Sequence, residues 1–316
     1  MTRIAVASRS FASNPVLRAE LLARYPEVTF IQSPTVLSGV ALVDLLRGHH
    51  RAIVGLERID DELLAQVPEL RIISKYGVGL DGLDLSALAR HGVTLAWTGG
   101  VNRRSVAELT LAFAIALLHR VPETSVTLRH GAFQPLVGRQ LTGRVVGIIG
   151  CGCVGKDLVS LMAPFGCRVL AHDILDYPEF YAANGVEPVG RDRLLAESEI
   201  VTLHVPLDAS TRGMIGAAEL ARMQKGAYLI NAARGGLVDE RALVEALSRG
   251  HLAGAACDVF QMEPEANPEL LALPAFLGTP HIGGSTAEAQ LLMGRAAIDG
   301  LEQARPVADG WPQPLG

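Results

Sequence analysis

The sequence predicts an α/β protein built from two doubly wound parallel sheets. Short β-branched runs alternate with amphipathic helical stretches almost from end to end, the pattern of parallel strands covered by helices. A chain of 316 residues is also roughly twice an ordinary domain. A third sign is the break in texture near residue 100, where Thr98, Gly99 and Gly100 mark a chain reversal ahead of a long apolar segment.

The first series of strands is expected at 3–7, 28–31, 52–54, 71–74 and 93–96, with helices between them. Asn102 and the spacing Ser105-x-x-Glu108 then read as a capping box that opens an apolar helix running to about Val121. That helix is too apolar for one buried face, which points to a homodimer through 102–121. Further strands are expected at 145–149, 168–171, 200–203, 228–230 and 254–257. A last helical stretch, 286–303, is read as returning to the first domain. The division is then 1–99 with 286–316 for one domain and 100–285 for an inserted one.

Composition excludes several classes of protein. With 49% hydrophobic and 19% charged residues, the chain is too apolar for intrinsic disorder. A net charge of −5 argues against a broad grip on nucleic acid or anionic lipid. The longest apolar run, 109–118, falls well short of the roughly 20 residues that span a bilayer, and the first residues lack the apolar core of a signal peptide. The expectation is a cytoplasmic protein without membrane or nucleic-acid partners. Four cysteines are too few for a disulfide scaffold, and Cys151-x-Cys153 has no Cys or His partner at zinc spacing, so no metal is expected.

The chemistry begins at Gly150-Cys151-Gly152-Cys153-Val154-Gly155, which follows an apolar strand and opens a helix. In a dinucleotide-binding loop the first glycine turns the chain, the second lets backbone approach a pyrophosphate, and the third lets helix pack on strand. The helix N-terminus faces the phosphate charge. Glycines also punctuate ordinary turns, so the context matters. The next strand runs into Asp173, 18 positions beyond Gly155. An acidic side chain there can accept hydrogen bonds from ribose hydroxyls and repel a 2′-phosphate, which favours NAD over NADP; a turn or helix-cap aspartate is the plain alternative.

Four further segments read as site loops, because three follow a buried strand at its carboxyl end and the fourth precedes the last helix: 204–207, 232–236, 257–264 and 279–284. Arg234 offers a planar fork for a carboxylate. His281 can give a proton to a ketone oxygen or take it back, and Glu263 is suited to keep that imidazole charged. Each alone also fits a solvated surface position or a simple turn.

These segments, together with Lys75-Tyr76-Gly77-Val78-Gly79-Leu80-Asp81, the stretch 102–108, Asn231 and His281-Ile282-Gly283-Gly284-Ser285-Thr286, resemble the D-isomer-specific 2-hydroxyacid dehydrogenase family, especially its phosphoglycerate dehydrogenase branch. The resemblance runs from about residue 71 to about 290. It implies a Rossmann-type NAD-binding domain inserted into a flavodoxin-like substrate domain, and interconversion of a D-2-hydroxy acid and a 2-keto acid, with 3-phosphoglycerate the first substrate expected. It places Arg234, Glu263 and His281 in catalysis. It assigns Gly150, Gly152, Cys153, Val154, Gly155, Asp173, His204, Val205, Pro206, Thr211, Ala232, Ala233, Arg234, Asp258, His281 and Gly283 to NAD, with Asp258 accepting the nicotinamide carboxamide. Val78, Gly79, Asn102, Ser105 and Arg234 fall on positions that hold the substrate carboxylate, and Lys75 on one that can face a phosphate. The long enzymes of this branch carry a regulatory domain, for which this sequence shows no counterpart. Cys151 and Cys153, unusual inside such a loop, read as small fillers, with oxidation that blocks NAD binding as the minor alternative. An NAD-sensing corepressor of the same fold, or a hydroxypyruvate, glyoxylate, phosphite or formate enzyme, is the rival reading.

Overall fold

The computed structural model describes residues 3–307. The chain divides into two compact units, one taking in the chain up to Asn102 and again from Thr286, the other running Arg103–Ser285. Each contains one fully parallel sheet.

The sheet of the first unit is formed by β1 (Ile4–Val6), β2 (Val28–Phe30), β3 (Arg51–Val54), β4 (Ile72–Lys75) and β5 (Thr94–Ala96), in the order β2-β1-β3-β4-β5. Every neighbouring pair is parallel. That order is flavodoxin-like, and the crossover direction changes beside β1. The helix Ala287–Gln303 packs on this same sheet after the second unit has intervened. Its close approach has a residue-level cause: a side chain at Gly294 would meet Leu17 at 2.3 Å, and one at Gly300 would meet Ser74 Oγ at 2.5 Å. Ser74 instead donates to Ala297 O at 2.6 Å, which gives a buried hydroxyl its partner.

The second sheet is formed by β6 (Val145–Ile149), β7 (Arg168–His172), β8 (Val186–Pro188), β9 (Ile200–Leu203), β10 (Tyr228–Asn231), β11 (Gly254–Cys257) and β12 (Phe276–Gly278), ordered β12-β11-β10-β9-β6-β7-β8. This is the Rossmann arrangement extended by one strand, with its switch point between β6 and β9. The central strands β9, β10 and β11 are buried at every position, as expected of strands covered on both faces.

Two strands that sequence patterning does not signal, β8 and β12, are the two edges of this sheet. Each has three residues and ends in proline or glycine. The long apolar helix also differs from expectation. It spans Arg103–Leu118 and gives way at Arg120, whose φ is +57°, to a second helix, Val121–Arg129. The proposed capping box does not form as such: the helix starts before Ser105, whose hydroxyl donates elsewhere, while Glu108 faces solvent. Nor is the helix left with a bare apolar face, since Phe113, Ala114, Leu117 and Leu118 lie in its own unit's core with Val146, Ile148 and Ile230. No single helix among the described residues is long and apolar enough to cross a membrane. The pair Arg103–Leu118 and Val121–Arg129 reaches that composition only together, across a 65° bend.

Candidate active site

The second unit gathers its chemistry at the carboxyl ends of its parallel strands. At the end of β6 the chain turns at Gly150, whose φ of +95° favours glycine, and whose would-be Cβ lies 2.5 Å from His204 O. Gly155, one turn into the helix Cys153–Met162, passes so close to the strand that a Cβ would sit 2.3 Å from Gly150 O. Gly152 is different, because a Cβ there would meet no protein atom within 4 Å. The space over the second glycine is open, and Gly152 makes no side-chain cap on the helix it opens. First-turn N–H groups therefore face that opening, as an anion such as a pyrophosphate requires. Asp173, just past β7, reaches back to this loop: its Oδ2 accepts from Cys151 N–H at 2.6 Å and its Oδ1 from Leu175 N–H at 2.9 Å. The glycine loop and this carboxylate fit a dinucleotide bound through its pyrophosphate and adenosine ribose.

The cysteines have separate surroundings. Cys151 is buried, and burial, with Asp173 nearby, pushes its thiol up to about 11. Such a thiol is a poor nucleophile at neutral pH. Among the described residues no group of three or more His, Cys, Asp or Glu side chains is placed to hold a metal ion.

Beyond β9, His204 is half-buried, and burial lowers its imidazole well below the ordinary range, so it is neutral at pH 7. One ring nitrogen lies 3.0 Å from Thr202 Oγ1. Val205 leans on the glycine loop, within 2.8 Å of the Gly150 Cβ position. Pro206 is exposed, and Thr211 folds the segment back by donating to Pro206 O at 2.7 Å while accepting from Asp208 N–H at 2.8 Å.

Past β10 the loop carrying Arg234 is shaped by one buried side chain, Asn231. Its Oδ1 accepts from Ala233 N–H at 3.1 Å and its Nδ2 donates to Arg234 O at 2.8 Å. Ala232 is buried and Ala233 accepts from Arg234 Nη1 at 2.7 Å. Gly235 then runs against the next loop so closely that a Cβ would lie 1.8 Å from Phe260 O. Only a residue without a side chain lets the Arg234 turn approach the segment that carries Glu263.

Glu263 and His281 are paired. Glu263 Oε2 lies 2.7 Å from His281 Nδ1, while its Oε1 accepts from Phe260 N–H at 3.1 Å. Hydrogen bonding to Glu263 raises the His281 imidazole above its ordinary value, against the opposing effects of burial and of Arg234. Burial alone would push Glu263 up, yet the bond and charge of His281, then Phe260 N–H and Arg234, hold it below the usual carboxylate range. With Nδ1 taken by the carboxylate, Nε2 is the nitrogen that faces outward. The side chain is 47% exposed. The arrangement suits proton exchange at Nε2 with an oxygen of a bound molecule.

Three of the expected site residues already have partners within the protein. Asp258, expected to accept a carboxamide, is 1% exposed and already accepts from Thr279 Oγ1, Ile282 N–H and Gly283 N–H at 2.6, 2.7 and 2.7 Å. Ser105, expected on the substrate, gives its proton to Gly283 O at 2.5 Å, so it would have to break that bond to donate to a ligand. Lys75 is buried in the first unit, its ammonium donating to the carbonyls of Gly55 and Tyr76. In the same unit, Gly77 adopts φ +108°, Trp97 Nε1 donates to Val78 O at 2.8 Å, and no protein acceptor among the described residues meets Val78 N–H or Gly79 N–H. That turn keeps the form of an anion-binding nest. Asn102 is half-buried at the end of this unit's first segment. Asn231 and Thr279 lie in segments the sequence marks, but their organising role is not assigned there, because it depends on hydrogen bonds to loops whose paths the sequence does not reveal.

Residues 111–283 match the family model described as the NAD binding domain of D-isomer specific 2-hydroxyacid dehydrogenases. A D-3-phosphoglycerate dehydrogenase from Mycobacterium tuberculosis is 37% identical over 249 residues, 78% of this chain and 47% of that protein. This chain thus spans about half the length of such relatives. A glyoxylate reductase from Thermococcus litoralis is also 37% identical, over 74% of this chain and 73% of its own. Among solved structures, a glyoxylate reductase from Paecilomyes thermophila superposes with a TM-score of 0.85 at 26% identity, covering 96% of this chain and 95% of that one. The two-sheet architecture, the glycine loop and these likenesses agree, and the chain belongs to the D-isomer specific 2-hydroxyacid dehydrogenase family, with an NAD-binding domain as its second unit.

Proposed function

We propose that the protein is an NAD-dependent oxidoreductase that interconverts a D-2-hydroxy acid and a 2-keto acid. The observation that carries this reading is the 2.7 Å pair of Glu263 and His281 beside the Arg234 turn, at the strand ends that also hold the glycine loop. A bound nicotinamide supplies or accepts the hydride. His281, whose protonated form Glu263 favours, gives its Nε2 proton to the carbonyl oxygen during reduction and reclaims it during oxidation. Arg234 holds the carboxylate and draws electron density from the neighbouring carbonyl. The unpaired N–H groups of Val78 and Gly79 give the first unit an anion-binding nest of its own.

We infer a small unphosphorylated 2-keto acid as the preferred substrate, since the ammonium of Lys75 is engaged by carbonyls and Arg104 by Asp157 at 2.8 Å. The reading includes a homodimer. Its support now shifts from the buried helix to the segment after it, where Phe133 and Val137 are 91% and 92% exposed. The direct test is reduction of glyoxylate, hydroxypyruvate, pyruvate and phosphohydroxypyruvate with NADH and with NADPH. Turnover of the small acids with NADH is expected. Preference for the phosphorylated acid would overturn the substrate inference, and NADH binding without turnover of any acid would overturn the enzyme reading.

A further inference from the structure

The imidazole of His281 is presented by a backbone that needs outside support. His281 has φ +54°, a left-handed conformation that a non-glycine residue keeps only where its surroundings fix it. Its own N–H donates to Asp258 O at 2.8 Å and Thr279 O at 3.0 Å. The residues on either side of it converge on one carboxylate. Thr279 Oγ1 and Ile282 N–H meet Asp258 Oδ1, and Gly283 N–H meets Oδ2. A Cβ at position 283 would lie 2.9 Å from that Oδ2, so glycine permits the approach. Ser105 Oγ braces the far side through Gly283 O.

We propose that Asp258 and Thr279 are positioning residues for His281, a clamp between the ends of β11 and β12 that straddles the imidazole and fixes its approach to Glu263. This proposal rests on the reading of His281 as the proton donor. A buried carboxylate is tolerated when its oxygens are hydrogen-bonded, and the three donors here flank His281 at positions 279, 282 and 283. Two are backbone groups. Thr279 supplies the side-chain member, so its hydroxyl can be removed without altering the main chain. Thr279 N–H also continues the ladder to Cys257 O at 3.0 Å, which sets the hydroxyl beside Asp258. Without that hydroxyl, one oxygen of Asp258 loses a partner and the loop gains freedom at the residue that must stay within 2.7 Å of Glu263. Displacements of about 1 Å in a reacting group lower rates by up to about a hundredfold.

The experiment compares Thr279→Val, Thr279→Ala and Thr279→Ser with the unaltered protein in keto-acid reduction across pH, alongside NADH binding by fluorescence. The valine and alanine variants are expected to lose about tenfold or more in kcat while NADH affinity is unchanged. The pH at which kcat/KM falls is expected to drop, because Glu263, Asp258 and Arg234 are the charged groups facing His281 and the favourable pairing loosens. Serine, which restores the hydroxyl, is expected to restore both. Unaltered kcat and pH profile in both the valine and alanine variants would overturn the clamp. So would a serine variant no better than valine, or NADH affinity falling in step with kcat. His281→Ala in the same series separates the two ideas: if it retains full turnover the proton-donor reading itself fails, whereas if it alone is inactive only the clamp fails.

Discussion

The glycine loop and the His281 loop both leave the carboxyl ends of strands in one sheet, yet they are shaped in opposite ways. At 150–155 the geometry comes from missing side chains: Gly150 and Gly155 avoid contacts of 2.5 and 2.3 Å, and Gly152 leaves open space. At 279–283 it comes from a side chain that is present, Asp258, which gathers three donors around a strained residue. The Arg234 loop combines both modes, with Asn231 bonding the turn from beneath and Gly235 permitting the approach to Phe260. A phosphate site needs bare backbone. A proton donor needs one side chain held in register.

The strongest way to break this comparison is to add a methyl group where backbone leaves no room. Gly235→Ala places a Cβ 1.8 Å from Phe260 O, and is expected to destabilise the fold by about 3 kcal/mol or more, read as a lowered midpoint in urea. A variant as stable as the unaltered protein would show that the two loops move apart easily. Next is His281→Ala, for which a loss of about 10²–10⁴ in turnover is expected while NADH affinity persists. Arg234→Lys follows, with a marked rise in KM or fall in kcat because an ammonium cannot reproduce the guanidinium fork. Gly152→Ala sharpens the contrast further: the added methyl meets no protein atom within 4 Å, so thermal stability should hold while NADH binding weakens by about tenfold. Equal affinity there would mean that the open space is not where the pyrophosphate lies.

The same contrast explains what the sequence conveys and what it conceals. Strands 145–149, 200–203 and 254–257 are read to the residue because strands covered on both faces are continuously apolar. The edge strands Val186–Pro188 and Phe276–Gly278 carry too few residues for any period to show. The end of the long helix near Val121 is legible, with Pro122 just beyond it, but the left-handed turn at Arg120 and the helix that follows are not. Glycine spacing is local and visible. Lys75 is placed by resemblance alone, and the sequence does not show the carbonyls of its own unit that its ammonium meets. The partner of Ser105 is equally hidden, since its acceptor, Gly283 O, lies 178 positions along the chain.

The central claim is that Glu263 holds His281 in the protonated state required of a donor. Its most direct test is the pH dependence of keto-acid reduction in the unaltered protein and in Glu263→Gln. A proton donor works only while protonated, so kcat/KM should fall as pH rises through the His281 pKa, which Glu263 raises above the ordinary 6.5. Removing the carboxylate charge should move that fall to lower pH. If the fall occurs at the same pH in both proteins, the pair seen at 2.7 Å does not govern the proton, and the account is wrong.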